Sequence, residues 1–181
     1  MSDNWPDKLA IQEAILIYAR AVDRSDWETV RAAYHPGAYD DHGEFKGTVE
    51  TLIPWLVERF ADAENGMHLI GNCLVEMLAA DVALAETYFV SHRLLTPATP
   101  GEAAQCGSDG AICRQGWGRY VDRFERREDR VWRVAQRTVV MDSVVQFAVP
   151  NAVRAGRAVW GQRGPDDWLF QCRAGMIGQE G

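Results

Sequence analysis

The chain contains an acid and a histidine whose surroundings suit proton transfer. Asp23 ends an apolar stripe with three- and four-residue spacing, which is typical of one face of a helix. His68 lies among apolar neighbours where the periodicity changes to two. A histidine held by a buried carboxylate acts as a general base, because imidazole titrates near neutrality. The spacing leaves two interpretations open. The two residues form a catalytic pair, or Asp23 is an exposed acid at a helix end and His68 is a core or surface histidine whose hydrogen bonds serve the structure alone.

A second polar cluster, Asp40-Asp41-His42, follows a predicted helix. Alternation along an extended segment puts Asp40 and His42 on one face, where they either line a pocket or form a rim or turn. One strand cannot supply the ligand number and geometry of a metal site, so we expect no metal there.

Strand alternation predicts which later side chains share a face with these groups. In one strand, Glu86, Tyr88 and His92 fall together and are candidates for polar pocket groups. Two further sets that share a face are His68, Ile70, Asn72 and Leu74, and Arg133, Ala135, Arg137, Val139 and Met141.

Helices come first in the chain and strands follow. Helical periodicity predicts helices over 8–22, 26–34 and 50–63, the second begun by a Ser25–Glu28 capping box and stopped by His35-Pro36-Gly37. A short extended segment is predicted at 38–42, and long strands at 66–80, 82–95, 116–128 and 131–145. A loop over 96–115 and a tail with a short helix at 153–160 complete the chain. This order predicts an α+β fold with the helices on one face of a largely antiparallel meander.

Length and composition set broad limits. A chain of 181 residues favours one domain over 1–181, with a core at about 9–145 and an extension at 146–181 that packs on the domain or on a neighbouring subunit. The net charge of −7 argues against nucleic acid and anionic membranes as partners. The N-terminus lacks the pattern of a secretory signal, which predicts a cytoplasmic location and free thiols at all four cysteines.

Three segments resemble the polyketide-cyclase (SnoaL-like) branch of the nuclear transport factor 2-like superfamily, the neighbourhood of scytalone dehydratase and hexachlorocyclohexane dehydrochlorinase. They are IQEAILIYARAVDRSDWETVRAAYHPGAYDDHGEFKG, GMHLIGN and GRYVDRFERREDRVWRVAQRTVV, within 9–143. The resemblance implies a cone-shaped α+β barrel, with three N-terminal helices packed on a strongly curved, mostly antiparallel sheet. It also implies a homo-oligomer, a trimer or a dimer.

The resemblance assigns roles to particular residues. The family's catalytic aspartate and histidine match Asp23, after Val22, and His68, in HLIGN. Its catalytic arginine matches Arg137, after Trp132, and the lysine of the dehydrochlorinase is replaced by Tyr18. A tyrosine donates a proton to an oxygen but supplies no fixed positive charge, so the leaving group differs.

These matches imply a cofactor-independent lyase acting on a small aromatic or cyclic hydroxylated substrate. It would eliminate water, or release formaldehyde by a retro-aldol step from a lignin-derived aromatic dimer. Catalytic roles are expected for His68, Asp23, Arg137 and Tyr18, and substrate-binding roles for Tyr34, Asp40, His42, Asn72, Tyr88 and Met141. The alternatives are a non-catalytic binding or interaction module, including the small subunit of a ring-hydroxylating oxygenase, and an isomerase of the ketosteroid type or a hydrolase in which an acid does the proton work.

Overall fold

A computed structural model describes residues 4–95, 111–149 and 158–177. Three helices precede most of the sheet and one lies in the C-terminal segment: α1 Trp5–Asp23, α2 Trp27–Ala32, α3 Val49–Arg59 and α4 Trp168–Ile177. The described residues form six strands: β1 Tyr34–Asp41, β2 Lys46–Thr48, β3 Ala63–Ala79, β4 Val82–Leu95, β5 Ile112–Arg126 and β6 Trp132–Ala148. The predicted α+β class is confirmed.

The strands form one curved sheet in the order β2-β1-β6-β5-β4-β3. Strands β3 to β6 are an antiparallel meander, whereas β1 runs parallel to β6. Helices α1 and α3 pack against its inner face and bury Ile11, Ile15 and Leu52 against strand residues such as Phe124 and Val134. Burial of this apolar surface holds the helices on the sheet and leaves a cavity between the two layers.

The second helix differs from its prediction at both ends. Its N-cap is Asp26, whose carboxylate accepts hydrogen bonds from the Thr29 amide at 3.1 Å and the Thr29 hydroxyl at 2.7 Å. The Ser25–Glu28 capping box is therefore wrong. The helix ends at Ala32, because the next residues join the sheet: Val134 N donates to the carbonyl of Ala33, and β1 begins at Tyr34.

Bulges explain why two predicted face assignments are wrong. In β3 the register shifts between Ile70 and Cys73, so Asn72 and Leu74 turn to the exposed side, away from the side chain of His68. In β6 the register shifts around Ala135, so Arg133 faces away from Arg137. Alternation resumes after each bulge with the opposite residues inward.

Some predictions fall partly or wholly outside the described residues. For the loop at 96–115, residues 96–110 lie outside them, and β5 already begins at Ile112. For the helix at 153–160, residues 153–157 lie outside them, and 158–160 are not helical. Cys106 also lies outside, while Cys73, Cys113 and Cys172 are free thiols. Among the described residues, no helix has the length and apolar character needed to span a membrane.

Candidate active site

The end of α1 and the start of β3 bring Asp23 and His68 together. Asp23 Oδ1 lies 2.7 Å from His68 Nδ1, and Asp23 Oδ2 accepts the backbone N–H of His68 at 2.8 Å. Both side chains are about one-tenth exposed. The predicted contact is confirmed. Because the carboxylate engages both the ring and the backbone of one residue, it fixes the ring orientation and leaves Nε2 as the uncommitted nitrogen.

His68 lies on the wall of a cavity of about 370 Å³ between the helices and the inner face of the sheet. This volume suits a small organic molecule. Four of the predicted site residues line it, namely His68, Tyr18, His42 and Met141. Half of the remaining wall residues are large apolar or aromatic ones: Val22, Leu56, Phe60, Phe89, Tyr120, Val139 and Val144.

A second carboxylate–histidine pair borders the same cavity. His42 follows β1, and its Nδ1 bonds Oδ1 of Asp40, a residue with no exposed surface. Asp40 Oδ2 also accepts the hydroxyl proton of Tyr34 at 2.7 Å. The ring of His42 packs against Trp55, with 5.6 Å between centroids. Alternation correctly placed Asp40 and His42 together, but only the imidazole reaches the cavity wall.

Arg137 does not reach the cavity, which corrects its predicted contact with substrate. It has no exposed surface and forms a bidentate ion pair with Asp122, through Nε at 2.7 Å and a terminal nitrogen at 2.6 Å. It also donates to the hydroxyl oxygen of Tyr34 at 3.2 Å. Its guanidinium lies 4.1 Å from the ring centroids of both Tyr18 and Tyr120. The arginine is therefore a buried support for tyrosines of the cavity wall.

Burial sets the protonation of this network. It raises the pKa of Tyr18 above the usual value, and those of Tyr34 and Tyr120 well above it, although Arg137 opposes each shift. All three phenols are therefore proton donors at neutral pH. Burial also raises the pKa of the Asp122 carboxyl, which the Arg137 guanidinium opposes.

Two predicted binding residues lie on the other side of the sheet. Tyr88 is 44% exposed on the outer face of β4, and Asn72 is exposed because of the β3 bulge. Glu86 and His92 also lie outside the cavity: Glu86 bonds Arg119 at 3.0 Å, and His92 Nδ1 lies 3.2 Å from Cys113 Sγ. The inward residues of this part of β4 are instead Phe89, Ser91 and Arg93.

Three arginines on the cavity wall were missed by the sequence analysis: Arg59, Arg93 and Arg114. Arg93 and Arg114 occupy inward positions of β4 and β5, next along each strand from Ser91 and Gly116. The signal was available, because alternation from Gly118 and Tyr120 back along β5 reaches Arg114. The loop predicted over 96–115 includes residue 114 and hides this signal.

The C-terminal segment contacts the end of α1 beside the Asp23–His68 pair. Gly164 N donates to the carbonyl of Arg24 at 2.7 Å, and Arg163 donates to that of Val22 at 3.2 Å. Asp167 forms an ion pair with Arg24 at 3.2 Å. Burial lowers the pKa of Arg163, which the nearby Asp23 carboxylate opposes. A cation from this segment thus lies close to the acid of the pair.

Comparison with known proteins identifies the domain type. The family model described as a SnoaL-like domain matches residues 4–138. A search of curated proteins finds no match.

Solved structures give the fold, at identities too low to transfer activity. A protein described as a scytalone dehydratase from Novosphingobium aromaticivorans is similar at TM-score 0.68 and 17% identity, covering 87% of this chain and 99% of its own. A type 2 hexachlorocyclohexane dehydrochlorinase is similar at 0.70 and 16%, covering 85% and 98%. The β subunit described for an aromatic-ring-hydroxylating dioxygenase of N. aromaticivorans is similar at 0.57 and 18%, covering 77% and 91%.

Proposed function

The chain belongs to the SnoaL-like family, and we propose that it is a cofactor-independent lyase in which the Asp23–His68 pair removes a proton from a small substrate. The observation that carries the proposal is the 2.7 Å contact between Asp23 Oδ1 and His68 Nδ1, made by an imidazole on the cavity wall. Asp23 holds one tautomer and stabilises the imidazolium that forms, as a triad carboxylate does.

Elimination of water is the reaction that we propose first. His68 Nε2 removes a proton from the carbon next to an electron-withdrawing group. The electron pair forms the double bond as the neighbouring C–O bond breaks. The departing hydroxide takes a proton from His42 or from the Tyr18 hydroxyl, both on the cavity wall. Proton transfers alone complete this step, so the proposal includes no metal or cofactor.

Retro-aldol loss of formaldehyde uses the same groups. His68 then removes the proton of a hydroxymethyl group, the C–C bond breaks, and formaldehyde leaves while the electron pair stays on the remaining carbon. The apolar wall limits water, which strengthens each electrostatic contact inside the cavity. An aromatic substrate suits a wall that contains Phe60, Phe89 and Tyr120.

The test is a screen of small aromatic alcohols and cyclic β-hydroxy ketones for loss of water or formaldehyde. His68→Ala should abolish any turnover and leave the fold intact. His92→Ala is the matched control, because this histidine lies on the outer face of the sheet and should leave the rate unchanged. An unchanged rate in His68→Ala would refute the mechanism.

Other products would identify the alternatives. An isomer of the substrate in place of an eliminated product would indicate an isomerase. Binding of substrates without turnover would indicate a binding module. The similarity in fold to the dioxygenase β subunit supports this alternative. Glu44 is the one carboxylate residue on the cavity wall among the described residues, and its ion pair with Arg59 does not favour a carboxylate base.

The homo-oligomer, a trimer or a dimer, stays a prediction. The outer face of the sheet supports it, because large apolar side chains are exposed there, including Met67, Leu69, Leu74, Tyr88 and Phe147. The cytoplasmic location likewise stays a prediction.

A further inference from the structure

The C-terminal segment places one arginine side chain between the two elements that carry the proposed base and its acid. Arg163 donates from one terminal nitrogen to the carbonyl of Val22 at 3.2 Å, and Val22 directly precedes Asp23 at the end of α1. Its other terminal nitrogen lies beside Gly66, two residues before His68 in β3. The guanidinium group thus contacts the end of α1 and the start of β3 at once.

The space that holds this guanidinium group requires a glycine at position 66. A methyl carbon added at Gly66 would lie 2.9 Å from Nη1 of Arg163, closer than side-chain carbons approach other heavy atoms. The ring of Phe60 covers another side of the group, with 4.6 Å between Cζ of the arginine and the ring centroid. An aromatic face and a backbone carbonyl together hold the planar group in one orientation.

The backbone on both sides of Arg163 is held in place. Gln162 N donates to the Asp167 carboxylate at 3.0 Å, and Gly164 N donates to the carbonyl of Arg24 at 2.7 Å. Gly164 has a φ of +83°, in the left-handed region that favours glycine. Asp167 also forms an ion pair with Arg24 at 3.2 Å, which ties this segment to the end of α1. The position of the Arg163 side chain therefore follows from an ordered backbone.

The charge of Arg163 acts on the Asp23–His68 pair where water screens it weakly. The side chains of Asp23 and His68 are each about one-tenth exposed. Burial lowers the pKa of Arg163, and the Asp23 carboxylate opposes this shift because the two charges attract each other. A fixed cation beside the carboxylate offsets part of the negative charge that stabilises a protonated imidazole. Arg163 thereby opposes protonation of His68.

Other charged and titratable groups face the same pair. Arg24 follows Asp23 and is paired with Asp167. The charge of Asp23 contributes to the raised pKa of Tyr120 on β5. Further groups line the cavity that His68 borders, namely Tyr18 of α1, His42 and Glu44 after β1, Arg59 of α3, Arg93 of β4 and Arg114 of β5. All of them remain when Arg163 is substituted, so a comparison with the wild type reports the effect of Arg163.

We propose that Arg163 is a positioning residue of the Asp23–His68 pair, which holds the end of α1 against the start of β3 and places a fixed positive charge beside the carboxylate. Because this charge disfavours the imidazolium, the histidine stays an unprotonated base to lower pH than the carboxylate alone would allow. The inference deepens the proposed function and rests on it, because it concerns the pair that is proposed to remove the proton.

NMR titration of the histidine rings in the free protein tests this role without a substrate. Arg163→Gln keeps an N–H donor for the carbonyl of Val22 but removes the charge, so the His68 signal should titrate about 0.5 to 1 pH unit higher than in the wild type. Arg163→Lys keeps both the donor and the charge, so its His68 signal should titrate close to the wild-type position. The His68→Ala variant identifies the signal by its loss.

Two controls accompany the titration. Arg173→Gln removes a cation from an exposed position of α4 in the same segment and should leave the His68 signal unchanged. The ring of His35 bonds the carbonyl of Glu125 at the end of β5, so its signal is an internal reference that should not move in any variant. An absent shift in Arg163→Gln, or equal shifts in Arg163→Gln and Arg163→Lys, would overturn the role of the charge.

A second variant keeps the test decisive if Arg163→Gln releases the C-terminal segment. Gly66→Ala keeps every charge, and its methyl group displaces the flexible end of the Arg163 side chain from the space between α1 and β3. The His68 signal should then move in the same direction as in Arg163→Gln, by a fraction of that shift. An unchanged signal in Gly66→Ala would overturn the assigned position of the guanidinium group.

Failure of this inference and failure of the lyase are distinguishable. In a lyase, kcat/KM of Arg163→Gln should fall about three- to tenfold on the acid limb of the pH profile and stay unchanged on its plateau. A raised His68 titration without any His68-dependent turnover would overturn the lyase and keep the role of Arg163. His68-dependent turnover with the same pH profile in the wild type and Arg163→Gln would overturn that role and keep the lyase.

Discussion

The cavity is bordered by two carboxylate–histidine pairs, and their carboxylates differ in the other groups that they hydrogen-bond. Behind His68, Asp23 sits at the end of a helix and bonds the ring and backbone of one residue. Behind His42, Asp40 is fully buried and shares its oxygens between the imidazole and the Tyr34 hydroxyl. The first acid serves one partner, and the second belongs to a network that continues into the core.

Because of this difference, we assign the Asp23 pair to catalysis and the Asp40 network to the stability of the fold. Tyr34 connects Asp40 to Arg137, and Arg137 is neutralised by Asp122 with no exposed surface on either residue. Charges buried this deeply destabilise the fold strongly if one partner is lost. We therefore expect changes at Asp23 to affect mainly the rate, and changes in the Asp40 network to affect mainly folding.

The largest effect should come from Asp23→Asn. The amide keeps the size of the side chain, and its oxygen still accepts the backbone N–H of His68, but its NH₂ group favours the wrong tautomer. We expect kcat to fall by about 10⁴-fold, as when a triad aspartate becomes asparagine, a cost of about 5 kcal/mol in the transition state. Steady-state kinetics and a thermal melt of the same preparation check this. If kcat falls only a few-fold, the role of Asp23 is structural and consists of holding the backbone of β3 at His68.

The next effect is on stability and concerns Asp122→Ala. This change leaves the fully buried Arg137 guanidinium without its bidentate partner. The free energy of unfolding should fall by about 3–5 kcal/mol, which urea denaturation measures. Glu86→Ala is the matched control, because its ion pair with Arg119 is partly exposed and should contribute less than about 1 kcal/mol. Equal losses in the two variants would contradict the assignment of the network to the core.

An intermediate effect is expected for His42→Gln. The glutamine amide still hydrogen-bonds Asp40 but cannot transfer a proton, so kcat should fall by about 10²-fold, near 2.7 kcal/mol. The high-pH limb of the rate profile should also change, because the remaining donor would be the Tyr18 phenol, whose pKa is raised by burial. If His42→Gln turns over substrates with poor leaving groups at the wild-type rate, Tyr18 is the proton donor in the wild-type protein.

The smallest effect concerns the C-terminal segment, which contacts the end of α1 beside Asp23. The Asp167 carboxyl is buried, which raises its pKa, but hydrogen bonds from Gln162 N and Leu169 N and the charge of Arg24 lower it below the usual value. A lowered pKa stabilises the docked segment above the unfolded value near 4, and this contribution is lost as the pH falls through the folded pKa.

Asp167→Asn should therefore loosen the segment at pH 7 by about 1 kcal/mol. Hydrogen-exchange protection of the Gln162 and Leu169 amides should fall several-fold, and wild-type protein should lose the same protection on acidification below about pH 4. Asp166→Asn is the control, as this neighbour makes no ion pair within the described residues. Protection that does not depend on the carboxylate would show that packing alone holds the segment.

Local patterns predicted the parts of this molecule that depend on periodicity. The apolar stripe from Ile11 to Val22 located α1, and the change to two-residue periodicity located the long strands. Asp23 is indicated because it ends that stripe, and His68 because it lies among apolar neighbours where the periodicity changes; the resemblance of HLIGN then supports pairing the two. Each of these signals is contained in a few neighbouring residues.

What could not be predicted depends on pairing between distant segments. Alternation assigns Arg137 to a strand face, but nothing local indicates that Asp122 on the neighbouring strand neutralises it and withdraws it from the cavity. Likewise, the strand that begins at Tyr34 replaces a predicted helix end because β6 provides a parallel partner. Bulges are a third case, since their positions follow from register with the neighbouring strand.

The bulge in β3 reverses which residues of the strand face the interior. Before it, His68 faces inward, and after it, Cys73 and Val75 do. An uninterrupted strand could orient only one of these two sets correctly. Deletion of Gly71 or Asn72 would therefore turn either His68 or the core residues Cys73 and Val75 to the outer face. The two-residue interruption allows one strand to serve both.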